Sequence, residues 1–158
     1  MIFESWNNAV NFLPIALTNN NSNANRKANP QIDNLNSENP EDWSNAVHSC
    51  RRLLQSLADK FFPPNPDGKS EIEKGSKKIK VGAENYINRL ILFIESKSES
   101  ERYLDIVGSH LDYIGNRIDS IYEASSKGTH TIIQSKEEAE RYIIYTYLLI
   151  GDLVILTE

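Results

Sequence analysis

Glu123-Ala-Ser-Ser-Lys-Gly-Thr-His130, followed by Ser135-Lys-Glu-Glu138 and an apolar-striped stretch to Glu158, decides how this chain folds. Ser-x-x-Glu ahead of an apolar run is a capping box: the Ser hydroxyl takes an unpaired N–H of a new helix while the Glu reaches back to the cap. Ala139, Ile143, Tyr147, Ile150 and Val154 then recur at the spacing of a helix that buries one face. The Gly-Thr-His turn therefore separates two helices. The one before it is expected from about Ser98 to Ser126, where Tyr103, Val107, Leu111, Ile114, Ile118 and Ile121 make a near-heptad stripe. It would span roughly 42 Å unless Gly108 or Gly115 bends it.

Two more helices are expected upstream of this pair. Asn39 is a cap residue, Pro40 suits the first helical position, and Glu41 and Asp42 complement the positive end of the helix dipole. Trp43, Val47, Cys50, Leu54, Leu57 and Phe61 keep helical spacing until Pro63-Pro64-Asn65-Pro66 ends the run. Gly82 precedes a shorter helix to about Ser96, with Tyr86, Leu90, Phe93 and Ile94 inward. Between them, Lys69 to Lys80 reads as a polar lysine-rich loop, and Ile79-Lys-Val81 and Thr131-Ile-Ile133 are too short to predict a sheet.

At the N-terminus, Phe3, Trp6, Val10 and Leu13 predict a short amphipathic helix within residues 1–17. Residues 18–39 are Asn-rich and predict a linker, because Asn competes for backbone hydrogen bonds and favours turns. The expectation is a single all-α domain, 1–158, whose segment 40–158 is a four- to five-helix bundle with a long C-terminal helical pair.

A formal net charge of -5 argues against general polyanion binding, so any RNA contact would need a local basic patch. The lysine-rich segment lacks the interleaved aromatics of a base-stacking platform. Cys50, the only cysteine, falls on an apolar face and predicts a buried thiol in a reducing compartment. The most apolar stretch, Ile143 to Leu156, holds Thr146 and Asp152 and falls short of the roughly 20 residues a membrane helix needs. A cytoplasmic protein without membrane contact is expected. No metal-ligand spacing and no Gly-rich phosphate loop is present in the sequence, so neither metal nor cofactor is expected.

His48, His110 and His130 are the only histidines, and His130 sits in the turn ahead of a capped helix. Tyr122-Glu-Ala-Ser-Ser-Lys-Gly-Thr-His130, with Gln134-Ser-Lys-Glu-Glu-Ala-Glu-Arg-Tyr142 and Leu148-Leu-Ile-Gly-Asp-Leu153, resembles the final helix pair of HEPN-like domains, closest to their degenerate branch. Ala46-Val-His-Ser-Cys-Arg-Arg-Leu-Leu54 is similar to the first core helix of that group, and together these segments cover about half the chain. The resemblance implies a helical domain of bacterial phage-defence and toxin–antitoxin systems. Ribonuclease members place an Arg before the His, separated from it by four to six residues. The fork stabilises charge developing on the phosphate and the imidazole moves the proton.

Here the corresponding positions are Ser125, Ala124 and Glu123, none of them basic, and Lys127 supplies only a point charge. The expected function is therefore a non-catalytic interaction or regulatory module, self-associating through its long helices or binding a protein partner. One alternative is a divergent metal-independent ribonuclease using His130 with a cation from Arg52, Arg89 or Lys127. The other is a generic helical adaptor or inhibitor. Tyr142, Tyr145 and Tyr147 cannot all point inward at 3.6-residue spacing, so some of them are expected at a surface or interface.

Overall fold

The computed structural model describes residues 38–65, 69–127 and 133–157. The N-terminal helix expected within residues 1–17 and the Asn-rich segment up to residue 37 lie outside them, as does the Gly-Thr-His turn. Among the described residues the chain is an all-α bundle of four helices with a small two-stranded sheet. The helices are α1 (Pro40–Phe61), α2 (Tyr86–Lys97), α3 (Glu101–Ser126) and α4 (Lys136–Ile155).

Local chemistry sets the helix ends. Asn39 Oδ1 accepts from Glu41 N at 3.1 Å at the start of α1. Ser100 Oγ accepts from Tyr103 N to open α3, two residues later than periodicity alone suggested. Ser135 Oγ accepts from Glu138 N at 3.2 Å, so the cap forms, and Glu138 Oε2 returns not to the cap's own N–H but to that of Gln134, one residue earlier, at 3.0 Å. The α3 helix runs through Gly108 and Gly115 without interruption.

α1 packs on α2, α3 and α4, and α3 packs on α2 and α4 as well. Their facing stripes merge into one apolar cluster. Leu54, Leu90, Leu111, Ile118 and Leu149 are among its fully buried members, each contributing about 1.5–3 kcal/mol of transfer free energy. Tyr142 is buried, Tyr147 is partly so and Tyr145 is exposed, which distributes the three tyrosines of α4 around the helix.

One expectation needs correction. The lysine-rich segment is not a plain loop: β1 (Glu71–Lys74) and β2 (Lys77–Lys80) pair antiparallel as a hairpin. Gly75, at φ 60°, supplies the left-handed residue of the two-residue turn. Each strand has a single apolar residue, Ile72 opposite Ile79, so the apolar alternation that marks a strand was missing. The ribbon is tied down by an ion pair from Lys74 to Glu95 and by Asn88 Nδ2 donating to the Lys80 carbonyl, both partners on α2.

Candidate functional site

α1 carries His48, Arg51 and Arg52, of which His48 and Arg51 meet α3. Arg51 Nε donates to Asp119 Oδ1 of α3 at 2.7 Å, and its Nη2 reaches Glu84 at 3.3 Å. The hydroxyl of Tyr86, on α2, donates to the same Asp119 oxygen at 3.0 Å. Burial, reinforced by the Asp119 carboxylate, pushes the Tyr86 hydroxyl far above its ordinary value, so it stays protonated and donating. One carboxylate thus ties three helices together. The Arg51 guanidinium also lies 4.3 Å from the centre of the Tyr122 ring, a cation–π contact.

His48 packs edge-on against the same Tyr122, with ring centres 5.6 Å apart. Its Nε2 finds no hydrogen-bond partner among the described residues. Burial, and then the charges of Arg52 and Arg51, hold its pKa below the ordinary histidine value. A neutral imidazole beside two guanidiniums is the result. Arg52 itself is exposed and donates to Ser49 Oγ at 2.9 Å.

Arg89 is placed elsewhere. Its side chain is fully buried and donates to Asp59 Oδ1 at 2.8 Å, to the Phe62 carbonyl at 3.1 Å and to the Ala83 carbonyl at 2.9 Å. Asp59 lies eleven residues beyond His48, roughly 16 Å along α1. Arg89 therefore clasps the end of α1 to the start of α2. Lys127 follows the last turn of α3, exposed, with Nζ 4.0 Å from Glu123 Oε2. His130 lies outside the described residues. The structure brings His48 and Arg52 together and sets Arg89 apart from them.

The hairpin also reads differently from a free basic patch. Its register sets Glu71 opposite Lys80 and Glu73 opposite Lys78, and Lys74 is paired with Glu95, so most of its lysines face a carboxylate.

Two features were missed from the sequence. The first is a cleft of about 200 Å³ between α3 and α4, with Tyr113, Ile114 and Arg117 on one wall and Glu138, Arg141, Tyr142 and Tyr145 on the other. Arg117 donates to the Tyr142 hydroxyl twice, from Nη2 at 2.7 Å and from Nε at 3.1 Å. Neither Arg117 nor Arg141 forms an ion pair among the described residues. Periodicity places each arginine beside a buried stripe residue, but only the pairing of α3 with α4 brings the two together.

The second is an apolar outer surface. Among the described residues every large hydrophobic side chain left exposed lies on α3 or α4: Ile106, Tyr113 and Tyr122 on one, Ile144, Tyr145, Leu148 and Ile155 on the other. Ile144, Leu148 and Ile155 fall within about 40° of each other around α4, opposite its buried face of Ala139, Thr146 and Leu153. Tyr103 Oη donating to the Asp152 carbonyl and His110 packing edge-on against Tyr145 fix an antiparallel register that sets Ile106 level with Leu149, one residue from Leu148. No helix among the described residues is long and apolar enough to cross a membrane. No family model matches the chain, and neither a curated protein nor a solved structure matches it.

Proposed function

We propose that the chain is a non-catalytic helical interaction module of HEPN-like type, self-associating through the outer face of the α3–α4 pair. As the resemblance implies, it would serve as a regulatory or assembly subunit of a bacterial defence or toxin–antitoxin system. One observation carries the reading: from Ile143 to Ile155, α4 is apolar on two opposite faces, and only one of them is covered by the bundle. A helix segment apolar on both faces is suited to an interior, and a second subunit would provide one. The stripe Ile144, Leu148 and Ile155 is suited to an antiparallel two-fold contact, in which each copy meets the same residues of the other. Gly151, with open space where a Cβ would stand, leaves room for close approach at its centre.

The non-catalytic part rests on chemistry. Ser125, Ala124 and Glu123 offer no guanidinium near His130, and Arg89 spends its own on Asp59 and two carbonyls. Light-scattering mass tests the assembly: a dimer or larger is expected for the wild type and a monomer for Ile144→Asp/Leu148→Asp. A wild type monomeric at high concentration overturns self-association. Incubation with mixed RNA tests the chemistry, and cleavage that disappears in His130→Ala would establish the ribonuclease instead.

A further inference from the structure

We propose that the α3–α4 cleft binds a free aromatic amino acid, its carboxylate between Arg117 and Arg141, its ammonium on Glu138 and its ring against Tyr113 and Tyr145. The inference goes beyond self-association and does not depend on it, because Ile144, Leu148 and Ile155 do not line the cleft. Charge, lining and size each bear on the occupant.

The cleft carries opposite charges that are not joined to each other. Arg51 and Arg89 are each spent on a carboxylate, whereas neither Arg117 nor Arg141 forms an ion pair among the described residues. The Tyr142 hydroxyl first, and Glu138 among the lesser influences, hold the Arg117 guanidinium in its charged form, yet Arg117 and Glu138 make no ion-pair contact. Tyr142 accepts from Nε and Nη2 of Arg117, which leaves the Nη1 donors for a ligand. Glu138 Oε2 accepts from the Gln134 N–H, which leaves Oε1 as an acceptor. Such a cleft repels a simple anion at Glu138 and a simple cation at the arginines. A zwitterion meets both, through charge-assisted hydrogen bonds about twice as strong as neutral ones.

The rest of the lining selects a ring. Tyr113 and Tyr145 are exposed on opposite walls, with buried Ile114 between the polar groups, so an aromatic side chain can pack offset or edge-on against them. His110, edge-on against Tyr145, steadies that wall. Size excludes most larger ligands. The volume is about 200 Å³, below the roughly 300–1,000 Å³ of pockets that enclose drug-sized molecules. Within a peptide the amide bonds remove one or both of the backbone charges of a residue. Only a free amino acid brings carboxylate, ammonium and ring together in so small a space.

Titration calorimetry on the full chain with L-phenylalanine, N-acetylphenylalanine, phenylalaninamide, L-alanine and inorganic phosphate tests the proposal. Phenylalanine is expected to bind at least about tenfold more tightly than each of the other four, since each of them lacks one of the three contacts. Arg141→Ala, whose side chain makes no hydrogen bond among the described residues, is expected to weaken phenylalanine about tenfold without changing the melting temperature. Glu138→Gln keeps an oxygen for the Gln134 N–H and is expected to weaken phenylalanine about tenfold without weakening N-acetylphenylalanine, which has no ammonium. Leu148→Asp is expected to leave phenylalanine binding intact. No phenylalanine binding up to about 10 mM, or binding that both cleft variants leave unchanged, overturns the site. N-acetylphenylalanine or phenylalaninamide binding as tightly as phenylalanine overturns the free amino acid in favour of a chain terminus. Alanine binding as tightly overturns the ring, and phosphate binding as tightly overturns the carboxylate.

Discussion

A Cβ built on Gly115 of α3 would stand 2.6 Å from Ile87 Cγ1 of α2, so the two helices approach closely at a residue that has no side chain. Gly115→Ala must push Ile87 out of a well-packed core, which costs about 1–3 kcal/mol, while the better helix former returns up to about 1 kcal/mol. A net loss of stability in urea unfolding is expected. Gly108 lies in the same helix with open space at its Cβ, and Gly108→Ala is expected to stabilise the fold by about 1 kcal/mol. Equal signs for the two substitutions would contradict the packing described.

Arg89 is the largest fully buried side chain among the described residues, and its removal has a different signature. Arg89→Ala leaves a cavity and strands the Phe62 and Ala83 carbonyls at the junction of α1 with α2. A loss of about 3–5 kcal/mol is expected, large enough that the variant is partly unfolded at room temperature by circular dichroism. Arg89→Lys keeps the charge but brings a single ammonium to three separated acceptors, so it restores only part of the loss.

The helices were legible because each carries its own evidence in consecutive residues. Asn39-Pro40, Ser135 with Glu138, and the three- and four-residue stripes act over one or two turns, and nothing distant is needed to read them. The hairpin was harder. Its turn signal, Gly75-Ser76, was present, but one apolar residue per strand gives no alternation, and the ribbon is held by Glu95 and Asn88 of α2, beyond any local window. The clusters around Asp119 and Arg117 were illegible for a related reason. Arg51 and Asp119 are sixty-eight residues apart, and a charged residue on the flank of a stripe reads the same whether it meets solvent or a partner helix. Arg89 shows the limit most clearly, since a charged residue on a helix is usually solvated and this one lies in the core.

Cys50 gives a direct probe of that core. It is 1% exposed, and burial pushes its thiol up to about 12, opposed in part by a hydrogen bond with Thr146. Neither access nor thiolate is available in the folded protein. Reaction with a thiol reagent at mildly alkaline pH is expected only as denaturant unfolds the bundle, with the same midpoint as the loss of helix. Rapid stoichiometric labelling of the native protein would place α1 differently.

Acid is expected to loosen the contact of α1 with α3 through His48. Its pKa in the fold lies below the ordinary value because of burial and the charges of Arg52 and Arg51. The unfolded chain therefore takes up the proton first as pH falls, so the stability this residue contributes is full above about pH 6.5 and is lost as pH falls through the folded pKa. Asp152 works in the other direction: burial raises its carboxyl despite the lowering effect of His110, so its contribution grows with acidity. A comparison of variants separates the two. His48→Phe keeps a ring against Tyr122 and cannot titrate, so its urea midpoint is expected to fall less than that of the wild type between about pH 7 and pH 5. Equal losses in the two proteins would show that the imidazole is not held neutral beside the arginine pair.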